Sequence, residues 1–198
     1  FVKFLQEQTN VTVLQAPLVE ADDWVARWTQ LHKNDRHFII SSDSDFYQLI
    51  SENVSIYDGI KQWLIELYQV TDDKGNPVID KKTNLPMGPP NPEWELFSKI
   101  VRGDSSDNIM SAYPGVRTKG TKKKTGLLEA FEDRHSKGYL WNNLFLQTWI
   151  DHNGTEHRVL DDYNRNKELI DLTCQPNEIK ELMDKGILAE TQKEPRRQ

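Results

Sequence analysis

Apolar residues in the first half of the chain occur in short runs that alternate with acidic segments. The apolar residues within positions 21–31 recur at helical spacing and predict one amphipathic helix. Runs at residues 11–15, 37–41 and 54–57 predict strands, the second of them buried on both faces. Because strand, acidic turn and helix follow one another repeatedly, the pattern favours an α/β sheet with its chemistry at the carboxyl ends of the strands.

The pattern changes at residues 85–92, where four prolines predict a loop and a boundary. Beyond it, one helical stripe ends at Gly103. Further helices are predicted at residues 127–131, 140–150, 163–172 and 178–183. Residues 60–70 have mixed periodicity and fit either a helix or a strand.

Composition narrows the class of protein. No run approaches the roughly 20 apolar residues of a membrane-spanning helix, so we expect a soluble cytoplasmic protein. Cys174 is the single cysteine, which excludes an internal disulfide. The net charge of −6 argues against a nucleic-acid partner, yet residues 117–124 hold five cations and no acid. This distribution suits an enzyme that holds metal ions in one place and phosphates in another.

Seven carboxylates occur in three clusters, each after an apolar segment: Glu20-Ala21-Asp22-Asp23, Asp43-Ser44-Asp45 and Asp104-Ser105-Ser106-Asp107. Converged carboxylates repel one another unless cations neutralise them, and hard oxygen ligands favour Mg²⁺ or Mn²⁺. Two such ions about 4 Å apart activate a water and stabilise the leaving oxygen of a phosphodiester. A single cluster is as well explained by helix caps and turns, and the spacing does not fit an EF-hand.

In order and spacing, the three clusters resemble the metal-binding motifs of the 5′-nuclease superfamily, which includes flap endonucleases and 5′-3′ exonucleases, and within it the T-even-phage-type ribonuclease H. The resemblance extends over about residues 10–130, and residues 163–167 are similar to the C-terminal helical part of the phage branch. It implies a PIN-like α/β nuclease core with a parallel sheet in residues 1–92. Residues 93–198 would form a helical DNA-binding region with a helix-three-turn-helix.

The resemblance also implies a role for each acid. Asp22 and Asp43, with Glu20 nearby, would hold one metal ion, and Asp45, Asp104 and Asp107 would hold a second. Asp23 would have a supporting place. The catalytic residues would then be Asp22, Asp43, Asp45 and Asp107. The family supplies further acids and a basic arch from segments upstream of Phe1, so we expect an incomplete ligand set unless another segment supplies the rest, and the activity of this chain alone stays open.

Residues that follow the third cluster resemble the DNA-gripping turns of the family. The residues that would contact DNA are Gly115, Arg117, Lys119, Gly120, Lys122, Lys123, Lys124 and Thr125. A glycine-rich turn entering a helix is expected to offer unpaired N–H groups to a phosphate. The sequence departs from the Gly-Val-Gly-x-Lys-Thr pattern, which disfavours the family's potassium site. An ordinary basic surface loop remains the alternative.

Three aromatic residues, Trp141, Phe145 and Trp149, recur every four positions on one predicted helix. A buried stripe is a better interpretation of this spacing than a base-stacking platform.

These features predict a Mg²⁺-dependent 5′-nuclease that acts on DNA with a 5′ flap, a nick or an RNA primer in an RNA/DNA hybrid. It would work as a monomer beside other replication proteins, away from membranes and in the bacterial host cytoplasm if a phage encodes it. Two alternatives stay open: a catalytically silent, structure-specific DNA-binding fragment and a PIN-like ribonuclease. The basic segment after Asp107 disfavours the ribonuclease.

Overall fold

The computed structural model describes residues 1–122 and 124–193. Within these residues the helices are α1 (Val2–Gln8), α2 (Ala21–Leu31), α3 (Pro92–Arg102), α4 (Leu127–Glu132), α5 (Tyr139–Phe145), α6 (Val159–Ile170) and α7 (Asn177–Thr191). The strands are β1 (His37–Ile40), β2 (Val54–Asp58), β3 (Trp63–Ile65), β4 (Val70–Asp72), β5 (Thr148–Ile150) and β6 (Glu156–Arg158). A 3₁₀ helix, Ser44–Leu49, follows β1.

Strands β1 to β4 form one mixed sheet in chain order. β1 and β2 are parallel, with His37 opposite Val54 and Ile40 opposite Tyr57. β3 and β4 continue antiparallel, so the predicted parallel sheet is correct for β1 and β2 alone. Only residues 59–62 join β2 to β3, and a connection this short permits a hairpin, whereas a parallel crossover needs a dozen or more residues.

Strand β1 departs from its prediction in one respect. Ile39 is buried, but Phe38 is 57% exposed and Ile40 is 74% exposed, so one face of β1 is open. The strand predicted at residues 11–15 is absent from the described structure, where that segment is an irregular connection.

The sheet and the helices bury separate apolar clusters. The sheet cluster contains Ile39, Phe46, Val54, Ile56, Ile65 and Val70. The helical cluster contains Phe97, Val101, Leu127, Phe131, Leu144, Phe145 and Val159. Trp141 and Trp149 pack against the helical cluster, as the buried-stripe interpretation predicts. The single helix predicted over residues 140–150 is wrong, because α5 ends at Phe145 and Trp149 lies in β5.

Helix α7 returns across the molecule to α2. Trp24, Met183 and Ile187 bury a small apolar cluster between the two helices. At its rim, the guanidinium of Arg27 donates to both carboxylate oxygens of Asp184, over 2.6 and 2.7 Å. Across the described ranges, we find no helix with the length and apolar character needed to cross a bilayer.

Candidate metal centre

The turn after β1 is organised by its own side chains. The backbone N–H of Asp43 donates to the hydroxyl of Ser41 over 3.1 Å, and the carboxylate of Asp43 accepts from the backbone N–H of Asp45 over 2.9 Å. Asp43 is therefore the cap of the 3₁₀ helix, and its side chain is exposed. This capping fixes the position of Asp45, which is half-buried.

A second turn carries Asp104 and Asp107. It begins at Gly103, whose φ of 75° ends α3. Asp104 and Ile109 exchange backbone hydrogen bonds of 2.9 and 2.7 Å, and the carboxylate of Asp104 accepts from the N–H of Ser106 over 2.9 Å. These contacts close a tight loop whose two aspartates are held near the end of α3.

The two turns meet because α3 packs against the 3₁₀ helix. Asp45, Asp104 and Asp107 then each offer a carboxylate oxygen, and these oxygens lie within 4.8 Å of one another. The structure thus brings together the three acids that were predicted to share one metal ion. Within the described ranges, this group consists of carboxylates alone, a donor set that suits a hard divalent cation.

Lys99 of α3 contacts two of the three acids, and this contact was not predicted. Its ammonium contacts the carboxylate of Asp45 and also that of Asp104, the latter over 2.5 Å. Burial disfavours the charged amine, but the hydrogen bonds that the ammonium donates to Asp104 and Asp45 outweigh burial and raise the pKa of Lys99. The same hydrogen bond, with help from Ser106, holds the pKa of Asp104 well below its usual range.

The first acidic cluster lies beside this group rather than within it. Burial raises the pKa of Asp22, and the negative charges of Asp23 and Asp45 add to the effect. Asp23 accepts from the backbone N–H of Glu20 over 3.1 Å and from the side-chain amide of Gln175 over 2.7 Å. Asp23 is thus held by hydrogen bonds within the chain, and its supporting place at a metal site stays a prediction.

Glu20 lies near one member of the group, Asp107. It lines a cleft together with Asp107 and Arg165. Glu20, Asp22, Asp23 and Asp43 are therefore not gathered with the three converged aspartates, although Asp22 and Glu20 are their neighbours.

Asp58 at the end of β2 is a further residue that the sequence analysis missed. Its carboxylate accepts from the hydroxyl of Ser42 over 2.8 Å and from the N–H groups of Ile60 and Lys61 over 3.0 Å each. Asp58 thereby ties the end of β2 to the turn that carries Asp43 and Asp45. An acid at the end of a predicted strand was the available sequence signal.

The predicted DNA-contacting residues lie between α3 and α4. Arg117, Lys119, Lys122 and Lys124 are exposed, and Gly115 has a φ of 72°. The hydroxyl of Thr125 donates to Asn143 over 2.8 Å. Lys123 lies outside the described residues.

The expected unpaired N–H groups at the start of α4 are not found. The N–H groups of Leu127 and Leu128 donate to the carbonyls of Arg117 and Thr118 over 3.0 and 2.9 Å. Those of Gly120 and Gly126 donate to Glu129. Since these four donors are paired within the chain, a phosphate at the start of α4 would be bound by side chains.

Comparison with known proteins agrees with this geometry. Residues 1–79 match the family described as the 5′-3′ exonuclease, N-terminal resolvase-like domain. The predicted resemblance to 5′-nucleases is confirmed. DNA polymerase I of Rhizobium leguminosarum is 31% identical over 126 residues, which are 63% of this chain and 11% of that polymerase.

Solved structures of bacteriophage T5 proteins share the fold. The T5 D15 protein, co-crystallised with metal ions, is 18% identical, with a TM-score of 0.53 over 90% of this chain and 62% of that one. A mutant of T5 5′-exonuclease is 19% identical, with a TM-score of 0.50 over 88% and 67%. A T5 D15 flap endonuclease mutant in a pseudo-enzyme-product complex with DNA and metal ions is 18% identical, with a TM-score of 0.51 over 88% and 61%. The chain spans about three fifths to two thirds of these proteins.

Proposed function

We propose that this chain is the metal-binding and DNA-binding part of a Mg²⁺-dependent, structure-specific 5′-nuclease. Its substrates would be DNA with a 5′ flap, a nick or an RNA primer, as in primer removal during DNA replication. The observation that carries the proposal is the convergence of Asp45, Asp104 and Asp107 from two separate turns. The match of residues 1–79 to a 5′-3′ exonuclease domain supports it, as does the fold shared with T5 proteins crystallised with metal ions and DNA.

The carboxylate oxygens of the acidic clusters are suitable ligands for Mg²⁺, and Mn²⁺ could replace it. Asp45, Asp104 and Asp107 would hold one ion, and Asp22 and Asp43, with Glu20, would contribute to a second. Bound divalent ions supply Lewis-acid activation of the phosphodiester and stabilise the leaving oxygen. The protein's part is to hold the carboxylates together before the ions arrive, through the Asp43 cap and the closed turn from Asp104 to Ile109.

The cationic side chains after α3 would hold the DNA backbone. We assign α3, the turns within residues 103–122 and 124–126, and α4 to the helix-three-turn-helix. Four of these cationic side chains are exposed to solvent: Arg117, Lys119, Lys122 and Lys124. Binding through such contacts is independent of base sequence and weakens steeply with salt.

A catalytically silent DNA-binding module is the second candidate. It is favoured by Lys99, because an ammonium that already contacts Asp45 and Asp104 offsets charge that a metal ion would otherwise neutralise. This candidate predicts flap-DNA binding without a Mg²⁺-stimulated product.

A labelled flap substrate and a metal titration together test the proposal. With the full chain, we expect Mg²⁺-dependent cleavage of 5′-labelled flap DNA and Mn²⁺ binding detected by electron paramagnetic resonance. Asp45→Asn should abolish cleavage, remove the Mn²⁺ ion held with Asp104 and Asp107, and leave flap-DNA affinity in EDTA within about twofold. The exposed control Asp35→Asn should change none of these. Cleavage retained in Asp45→Asn would refute the assignment, and DNA binding with neither cleavage nor Mn²⁺ binding in the wild type would favour the silent module.

A further inference from the structure

A carboxylate closes the base of the loop that carries the proposed DNA-contacting lysines. Both oxygens of Glu129, in the first turn of α4, accept from the N–H of Gly120 over 3.0 Å. One of them also accepts from the N–H of Gly126 over 3.0 Å. We name these three residues, Glu129, Gly120 and Gly126, the carboxylate clasp.

The clasp requires glycine at both of its backbone positions. A Cβ on Gly120 would lie 2.6 Å from the carbonyl oxygen of Lys124 and 2.7 Å from the nitrogen of Gly126. A Cβ on Gly126 would lie 2.6 Å from the carbonyl carbon of Lys119. All of these neighbours are backbone atoms, so a side chain at either glycine would force the two segments apart.

Glu129 is therefore bound as an anion among backbone donors. Its own N–H, followed by those of Gly120 and Gly126, lowers its pKa, so the carboxylate is charged at neutral pH. Next to the clasp, the carbonyls of Arg117 and Thr118 accept from Leu127 and Leu128, which anchors the start of the loop to α4 as well. Lys119, Lys122 and Lys124 project from backbone that is fixed on both sides of the clasp.

We infer that Glu129 is a positioning residue for DNA binding: it orders the loop so that Lys119, Lys122 and Lys124 face the phosphate backbone together. This inference rests on the proposed function. A cation whose backbone is already ordered loses less conformational entropy when it binds, which raises affinity without a new contact. The clasp thus replaces an amide cradle, because its carboxylate occupies the N–H groups that a phosphate would otherwise use.

The sign of the effect separates this role from simple electrostatics. Glu129 is an anion near a surface that binds an anion, so removing its charge alone should tighten DNA binding. Loss of the clasp should instead weaken DNA binding, because the lysines lose their ordered backbone. Glu132 lies on the same helix and is exposed, so Glu132→Ala removes an equal charge without touching the clasp and is the matched control.

The test is flap-DNA affinity of the full chain by fluorescence anisotropy in EDTA, where the metal centre takes no part. We expect Glu129→Ala to weaken binding about tenfold, equivalent to about 1.4 kcal/mol. Glu129→Gln, which keeps one carbonyl oxygen as an acceptor, should restore part of the affinity. Glu132→Ala should bind as tightly as the wild type or slightly more tightly.

Two further measurements distinguish a folding defect from the specific loss of the clasp. Hydrogen exchange at the amides of Gly120 and Gly126 should accelerate in Glu129→Ala while exchange in β2 stays unchanged. Gly120→Ala should weaken binding with no change of charge, and Gly59→Ala, where a Cβ meets nothing within 4 Å, should not.

Unchanged or tighter binding by a folded Glu129→Ala protein would overturn the inference alone. Failure of the wild type to bind flap DNA would overturn the proposed function along with it, so the two failures are distinguishable.

Discussion

The candidate metal centre contains a cationic side chain, that of Lys99. Its ammonium contacts Asp45 and Asp104, and their mutual repulsion is offset while no divalent ion is bound. The side chain is about a quarter exposed, so solvent screening reduces the net effect below that of a fully buried ion pair. Lysine is common in the last turn of a helix, because its positive charge interacts favourably with the partial negative charge at the C-terminal end of the helix. Lys99 therefore did not stand out in the sequence.

Removing Lys99 should change stability and metal binding in opposite directions. In EDTA, we expect Lys99→Met to lower the free energy of unfolding by about 1 kcal/mol, because two carboxylates lose their counter-charge. Mn²⁺ should bind more tightly than to the wild type, because it no longer displaces the ammonium. Urea unfolding and electron paramagnetic resonance measure the two effects, with the exposed Lys33→Met as the control. Weaker Mn²⁺ binding by Lys99→Met would contradict the competition.

At the scale of elements, Asp58 joins two parallel strands at the edge that carries the acidic turn. The side chain is 1% exposed. Burial alone would raise its pKa, but hydrogen bonds from Lys61, Ser42 and Ile60 outweigh burial and lower the pKa to about 2. A carboxylate whose pKa is depressed in the folded state stabilises the fold above its unfolded pKa of about 4, and this contribution is lost as the pH falls towards 2.

Asp58→Asn should therefore show a pH-dependent cost. We expect a loss of about 2 kcal/mol in the free energy of unfolding at pH 7, and a difference from the wild type that shrinks between about pH 4 and pH 2. Urea unfolding at several pH values measures this, with Asp35→Asn as the exposed control. A difference that stays constant over this pH range would show that the ionised carboxylate is not what stabilises the strand ends.

Gly103 sets the direction in which the third acidic turn leaves α3. Its φ is 75°, and a Cβ would lie 2.6 Å from the carbonyl carbon of Met110 and would also meet the carbonyl oxygen of Ile109. Gly103→Ala should open the turn that bears Asp104 and Asp107, lowering stability by about 1–3 kcal/mol and weakening Mn²⁺ binding. Gly88→Ala, where a Cβ meets nothing within 4 Å, is the control. Undiminished Mn²⁺ binding by Gly103→Ala would show that this turn tolerates the strain.

Elements with a clear local period could be predicted, and those defined by distant contacts could not. The apolar stripe of α2 and the glycine that ends α3 were visible in the sequence. The hairpin of β5 and β6 was not, because Trp149 continues the helical spacing of Trp141 and Phe145. In the structure, the indole N–H of Trp149 donates to the carbonyl of Ala112 over 3.0 Å, and the spacing of residues in the sequence cannot reveal such a contact.

The same distinction applies to the candidate site. Asp45, Asp104 and Asp107 were predicted to act together, and their convergence follows from the packing of α3 on the 3₁₀ helix. The clasp of Glu129 lay beyond sequence reasoning, because it depends on two glycines whose backbones meet in space.

In the molecule as a whole, the C-terminal helices hold the acidic segments in place. Asn166 of α6 is fully buried, and its amide donates to the carbonyls of Ile100 and Met110 over 3.0 and 2.7 Å, on either side of the third acidic turn. Gln48 of the 3₁₀ helix exchanges hydrogen bonds with the backbone of Ile170 and Leu172. A region distant in sequence thus fixes the turns that carry the candidate metal ligands.

Variants in the packing of α7 on α2 test whether α7 and the sheet unfold together. Met183 is fully buried against Trp24, so Met183→Ala should lower the free energy of unfolding by about 2–5 kcal/mol. Leu188 on the same helix is 56% exposed, and Leu188→Ala should cost less than about 0.5 kcal/mol. If α7 and the sheet form one unit, tryptophan fluorescence and circular dichroism will give coincident urea transitions for both variants. Separate transitions in Met183→Ala would mean that α7 detaches while the sheet and its acidic turns stay folded.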